Sequence, residues 1–462
     1  MKKIALIILL CLPLLSLADG TTDSLKYALT KASGKDKINI LNQLNIQVRT
    51  TEPKEALKYS ELAYTFALKS KDTAGMAMSL KNTGLAFYFM GDYKKAITNT
   101  EKALVLFKKI PDNTGISACN NNLGLFYSEF GKYNQALYFF QQSLNIDQKK
   151  QDTSGVAESF VNIGQVYHLQ GNYVKALEYY KKSLELVQAI DDDYNTGLSL
   201  INIGALYNGT NQYAKSLTYY KKALEIFSKL NDKYNVALCY SNIGSSLLDG
   251  GEIENAKLVL DKALSLRKSI GDKSGMARTL RNIGLYYEVK NEEDSASNYF
   301  FKSIMLELEQ GNIADVATLL KDKGAHYSKK EAYEIAIGFF LNSLEFAREI
   351  NSPPIIKDDY MELSETYAKI RDFENAYKYS KLYIDINDSL NTLNAGLFSK
   401  DENIINSKDT TLIKKPESGN AEEHNVSYNL ILKWVFLLLF ISTTILYIRE
   451  KRKNKKNSCN IN

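Results

Sequence analysis

Apolar side chains recur along most of this chain at i, i+3, i+4 and i+7. That spacing marks one face of an α-helix rather than a strand. The segment 173–184 shows it, with Tyr173, Ala176, Leu177 and Tyr180 on one face and Ser183 and Leu184 continuing it. A longer rhythm lies over the helical one. Asn-x-Gly occurs at Asn82/Gly84, Asn122/Gly124, Asn162/Gly164, Asn202/Gly204, Asn242/Gly244 and Asn282/Gly284, at a constant interval of forty. Asp322/Gly324 continues the series with one change, and Asn42/Leu44 and Glu362/Ser364 keep the register at its ends.

Other columns obey the same period. A small residue recurs from Ala56 through Ala96, Ala136, Ala176, Ser216, Ala256, Ala296 and Ala336 to Ala376. A second small column runs seven positions behind it, from Ala63 to Ser343. An aromatic column includes Tyr93, Tyr133, Tyr173, Tyr213, Tyr333 and Phe373, and a larger apolar one Phe140, Tyr180, Tyr220, Leu260, Phe300 and Phe340. Each period therefore predicts a helix-turn-helix whose apolar face is buried only by stacking on its neighbours. Gly84 and its equivalents fall inside the first helix, where Gly costs about 1 kcal/mol relative to Ala. Close approach of a neighbouring helix, at the small-residue column, is the expected reason. Gly91, Gly131 and Gly171 are placed to end first helices in a left-handed conformation. Asp72, Asp112, Asp152, Asp192, Asp232 and Asp272 are placed to cap the pair that follows. The expected fold is all-α, a solenoid of antiparallel helix pairs. About nine 40-residue units cover 36–390, and a cap over 19–35 contains a short helix at Ser24–Lys31.

Composition agrees. Gly 25 and Pro 6 are together about 7 % of 462 residues, where about 12 % is usual. So few turn-formers argue against a sandwich or a propeller. A mean hydropathy of −0.28 excludes a polytopic membrane protein. The 31 tyrosines are absorbed by the repeating columns.

The ends carry different signals. Lys2 and Lys3, the apolar run Ile4–Leu17 and the small residues Ser16 and Ala18 read as a signal peptide over 1–18, cut before Asp19. A second apolar run is Leu430–Ile448. As a helix it spans about 28 Å, close to the hydrocarbon thickness. The expected transmembrane helix is 428–448, after a flexible polar linker at 391–427 that contains Pro416. The net charge of +5 then acquires a meaning. The tail 449–462 carries Arg449, Lys451, Arg452, Lys453, Lys455 and Lys456 against Glu450, which equals the whole excess. Such a run after a span belongs on the cytoplasmic side. The expectation is a single-pass protein of the bacterial inner membrane with its array outside the cytoplasm. The rest of the chain is not basic, so no nucleic-acid partner is expected.

The small residues at Gly84, Ala96 and Ala103, with Tyr93 between them, resemble the tetratricopeptide repeat (TPR), here with a 40-residue instead of a 34-residue period. The resemblance implies a right-handed superhelix that binds proteins or peptides along its concave face. The order of signal, array and span is similar to the exported sensor regions of TPR-containing histidine kinases and transcription regulators. Only the short tail 449–462 follows the span, so no output domain is expected after it. The chain is read as a membrane-anchored scaffold or ligand-sensing ectodomain. The alternative is a truncated or split sensor that signals through a cytoplasmic partner chain.

The first helices would present Asn82, Asn122, Asn162, Asn202, Asn242 and Asn282 as one stripe on the concave face. An Asn amide both donates and accepts, so a ladder of them suits the backbone of an extended peptide. The competing reading is that the amides bridge adjacent helices and stabilise the stack. Arg278, Arg281 and Lys321 would add a basic spot for an acidic side chain or a C-terminal carboxylate, with Glu129, Glu158, Asp249 and Glu288 opposing it elsewhere. Catalysis, metals and cofactors are not expected. His168, His326 and His424 lie far apart in register. Cys119 and Cys239 stand three periods apart in one column, read as small core residues.

Overall fold

The computed structural model describes residues 18–110 and 112–396, and they form 19 α-helices with no strand among them. The even helices are α2 (Gly34–Val48), α4 (Thr73–Phe89), α6 (Asn113–Glu129), α8 (Thr153–Leu169), α10 (Asp193–Gly209), α12 (Lys233–Asp249), α14 (Lys273–Val289), α16 (Ile313–Lys329) and α18 (Pro353–Lys369). The odd ones are α1 (Ala18–Lys31), α3 (Pro53–Lys69), α5 (Tyr93–Lys109), α7 (Tyr133–Lys150), α9 (Tyr173–Ala189), α11 (Tyr213–Lys229), α13 (Ile253–Ser269), α15 (Glu293–Glu309), α17 (Tyr333–Glu349) and α19 (Phe373–Gly396). Each helix packs on the next along the chain. Most even helices also touch their even neighbours, and no odd pair packs to that extent. The even helices therefore converge on the inner face of a helical-repeat solenoid.

Local chemistry sets the boundaries. All six repeating aspartates cap an even helix, each carboxylate accepting the backbone N–H three positions on. This satisfies a donor the helix leaves free. Gly91, Gly131 and Gly171 close their helices at φ +79°, +76° and +76°, where a Cβ is disfavoured. The helix cap at the N-terminus is longer than expected, starting at Ala18, and α19 runs past 390 to Gly396.

Both small columns are buried. The glycine column meets a different partner from the expected one. A Cβ on Gly204 would lie 2.7 Å from Cδ1 of Tyr220, and one on Gly164 would lie 2.8 Å from Tyr180 and 3.3 Å from the Ala176 carbonyl. From Gly124 to Gly324 a side chain of the large apolar column fills most of the space the glycine leaves, while the small column approaches through the backbone carbonyls of Ala96, Ala176 and Ala256 at Gly84, Gly164 and Gly244. The small residues instead let the backbones come close enough for that ring to reach in.

A further recurrence spans the two helices of a unit. Tyr167 stacks on Tyr179, Tyr207 on Tyr219, Tyr287 on Tyr299 and Tyr367 on Tyr379, with ring centroids 5.2–5.6 Å apart. Tyr127 on Phe139 and Tyr327 on Phe339 do the same. Offset stacking of this kind adds about 0.5–1.5 kcal/mol per pair beyond burial.

The array also comes round on itself. A Cβ on Gly91, in the α4–α5 turn, would lie 3.7 Å from the Ile350 Cβ in the α17–α18 turn. Between six and seven repeats separate these positions, so one superhelical turn is complete within the array.

Among the described residues no helix is long and apolar enough to cross a membrane. The expected signal peptide up to residue 17, the expected span at 428–448 and the basic tail residues Arg449, Lys451, Arg452, Lys453, Lys455 and Lys456 lie outside the described residues.

The glycine contact makes a measurable claim. Gly204→Ala gains helix propensity of about 1 kcal/mol but overpacks against Tyr220, at a cost of about 1–3 kcal/mol. Urea unfolding should show a lower midpoint for the variant. A higher midpoint would mean that Tyr220 moves aside freely.

Candidate peptide-binding groove

The even helices line the groove, and the asparagine column runs along it. Its members do not share one environment. Asn82 is fully buried, and its Nδ2 donates to Asn42 Oδ1 on α2 at 2.9 Å. Asn162 is half-buried and donates to Asn121 Oδ1 at 3.1 Å, while Asn121 donates to Glu158 at 2.8 Å. Asn282 reaches the Ser241 carbonyl at 3.5 Å, a weak contact. Asn122, Asn202 and Asn242 are half-buried and make no hydrogen bond among the described residues.

The cations differ in the same way. Arg281 pairs with Asp322 at 3.0 Å, and Lys321 pairs with Asp358 at 3.0 Å. Burial alone would lower the Lys321 ammonium, but Asp358 outweighs it and holds the pKa above its ordinary value. Arg278 forms no ion pair among the described residues, and its Nε is buried without a partner. Two of the three basic side chains are thus neutralised within the fold. The four acids meant to oppose them are spread along the groove. Asn208 on α10 donates to Asp249 on α12 at 3.1 Å, and Glu288 holds Lys323 and lies 3.2 Å from His326 Nδ1. Glu158 takes the Asn121 bond.

Several of these bridges share an offset that the sequence could have shown. Their partners on adjacent even helices are separated by 37 residues (Asn121/Glu158, Lys321/Asp358) or by 41 (Asn121/Asn162, Asn208/Asp249). That is one period minus three or plus one, the positions adjacent on a helical face.

The return of the superhelix adds a feature no single repeat contains. Glu129 at the end of α6 is pushed up to about 7, mainly by burial and then by the Asp315 carboxylate of α16. Burial raises the Tyr93 hydroxyl, with Glu129 and Asp315 adding to it. Tyr133 is pushed up to about 12 by burial, then by Asp358 and Glu129. Groups from distant repeats thus share one acidic seam.

Cys119 and Cys239 are buried and free, and burial pushes the Cys119 thiol up to about 12. Neither is a poised nucleophile. No cluster of three or more His, Cys, Asp or Glu side chains among the described residues is arranged to hold a metal ion. An open hollow at the N-terminal cap, lined by Tyr27, Lys31, Asp36 and Gln43, lies off the asparagine column.

Stacked helix pairs with an inner polar column define a repeat solenoid built to present one long surface. Residues 76–149 and 155–229 match the Tetratricopeptide repeat family, and residues 237–270 match a second form of that repeat. The 40-residue units between residues 76 and 270 thus match tetratricopeptide repeats. No curated protein matches the sequence. Several solved structures share the fold. A Rap protein complexed with competence and sporulation factor is 12 % identical, covers 78 % of this chain and 99 % of its own, and has a TM-score of 0.51. Aspartyl phosphate phosphatase F from Bacillus subtilis is 14 % identical, with coverage of 73 % and 96 % and a TM-score of 0.52. NprR in complex with its cognate peptide NprX is 15 % identical, with coverage of 79 % and 94 % and a TM-score of 0.50. At these identities the likeness is one of fold.

The seam carries a pH prediction. A carboxyl whose pKa is raised on folding stabilises fully below its unfolded value, near 4.5, and that stability is lost as pH rises to about 7. Glu129→Gln should remove this part of the slope. The wild-type melting temperature should fall relative to the variant's between pH 4.5 and 7. Parallel curves would show that Glu129 is not shifted.

Proposed function

We propose that this chain is a TPR module that binds an extended peptide along its even helices, through the amides of Asn122, Asn202 and Asn242. Asn162 stands within that line, already bonded to Asn121, and Asn282 and Arg278 lie beyond its end. The observation that carries the reading is the split in the column: some amides are spent on the stack, and three have no partner among the described residues. An amide left without a bond in a half-buried groove gains from any ligand that pairs it. Packed helices lie about 8–10 Å apart, roughly three residues of extended chain at about 3.3 Å each. One amide per repeat therefore fits a peptide backbone contacted at every third residue. By their names, two of the structures with this fold hold a peptide or signalling factor, which supports the class of ligand. The groove is read as a binding surface, not as a catalytic site.

The double variant Asn202→Ala, Asn242→Ala tests the reading. Peptides selected from a random phage library against the full chain are titrated by calorimetry into wild type and variant. Binding should weaken at least tenfold, with an unchanged melting temperature. Asn82→Ala should do the reverse, losing about 1–3 kcal/mol of stability because the buried Asn42 Oδ1 loses its donor. Equal affinity for wild type and double variant, or no selectable peptide, overturns the proposal.

We further propose that the solenoid, a right-handed superhelix, is anchored by 428–448 and lies outside the cytoplasm. The apolar run and the basic tail of the sequence support this. The full chain should stay in the membrane pellet after carbonate extraction, and in intact cells Cys459 should resist an impermeant maleimide that labels an Asn172→Cys variant. Release into the supernatant, or labelling of Cys459 instead, would reverse the reading.

A further inference from the structure

The two ends of the solenoid are finished differently. At the N-terminal end, Leu25 and Leu29 of α1 pack onto the buried cluster of Ile38, Leu41 and Leu44. At the C-terminal end nothing comparable among the described residues closes the stack. The comparison is internal, position by position along the odd helices. Ile337 and Leu344 of α17 are 8 % and 2 % exposed. One period later, Tyr377 and Ile384 of α19 are 72 % and 52 % exposed. The residues are still of the stacking kind, without a further helix pair over them among the described residues. Phe373 joins them on the same face, at 68 % exposure.

Every odd helix from α3 to α17 ends within a turn of the same register position, and the chain doubles back there. α19 passes that position and continues to Gly396. The sequence beyond breaks register as well. In most units apolar residues stand where Leu320, Leu363 and Tyr367 do, whereas Lys400, Asn403 and Ser407 stand at those positions further along the sequence.

We propose that this face binds a second copy of the chain, α19 against α19 and antiparallel, to give a two-fold dimer. Charge selects the arrangement. Lys378 and Lys381 lie in the first half of the exposed stretch, and Asp385 and Asp388 in the second, all exposed. Antiparallel helices set the lysines of each copy beside the aspartates of the other. A parallel pair would set like against like. A two-fold axis uses one patch on both copies, so the assembly closes at two and buries both stripes. This inference is independent of the peptide-binding reading, because α19 carries none of the column asparagines.

The test uses the full chain in detergent, with mass measured by light scattering. Wild type should have twice the protomer mass of 52.2 kDa. Ile384→Lys should be monomeric with unchanged helical circular dichroism. The swaps Lys378→Asp/Lys381→Asp and Asp385→Lys/Asp388→Lys should each weaken association at least tenfold, and mixing the two swapped proteins should restore it. A monomeric wild type overturns the proposal. So does a dimer that survives Ile384→Lys, since it would use another surface. Swapped proteins that do not rescue one another rule out the antiparallel pairing.

Discussion

No helix pair in this protein can bury its own apolar face. Everything else in the structure follows from the need for a neighbour to do it. Within a unit, the glycine of the even helix accepts the ring of the large apolar column, as Gly204 accepts Tyr220. Stacked pairs such as Tyr207 and Tyr219 hold the two helices together. Between units, the even helices converge and the odd ones spread, which bends the stack. Because the repeated contacts lie between near neighbours, the inner column is free to change chemistry from one repeat to the next without disturbing the frame.

That freedom explains why one sequence column serves two purposes. Where a polar neighbour comes within bonding distance, the asparagine becomes part of the frame, as Asn82 does with Asn42. Asn202 and Asn242 make no such bond among the described residues and face the groove with their bonding capacity unspent. The cations obey the same logic. Arg281 and Lys321 have carboxylates at the next even helix and are held by them at 3.0 Å. A ligand carboxylate would have to displace those partners, whereas Arg278 has no such partner to displace.

The parts of the fold that rest on nearby residues were legible in the sequence. The period, the aspartate caps and the left-handed glycines all involve residues within a few positions of each other, and all six caps stand where expected. The partner of the glycines was not legible, because two columns recur with the same period. Periodicity shows membership of a column and not the direction in which it points. The Tyr167–Tyr179 type of stack was hidden because its members stand on two different helices, across a turn. The contact of Gly91 with Ile350 was beyond sequence reasoning. It arises from a small rotation accumulated over many repeats, and no single residue encodes it. The seam of Glu129 with Asp315 exists only because of that return.

Stacking between neighbours also makes the ends of the array unlike its middle. An interior unit is covered on both sides whatever its exact sequence. A terminal unit must either change its outer face to polar or find a cover. At the N-terminus the change has been made: α1 turns Leu25 and Leu29 inward over the first repeat and ends the stack. At the C-terminal end of the described residues it has not, since Phe373, Tyr377 and Ile384 keep the character of an interior face. A helix that runs straight through the turn position cannot fold back to cover itself. The rule that makes such an array easy to lengthen therefore leaves an adhesive surface wherever lengthening stops without a cap. The lysines and aspartates around that surface restrict which helices can settle on it.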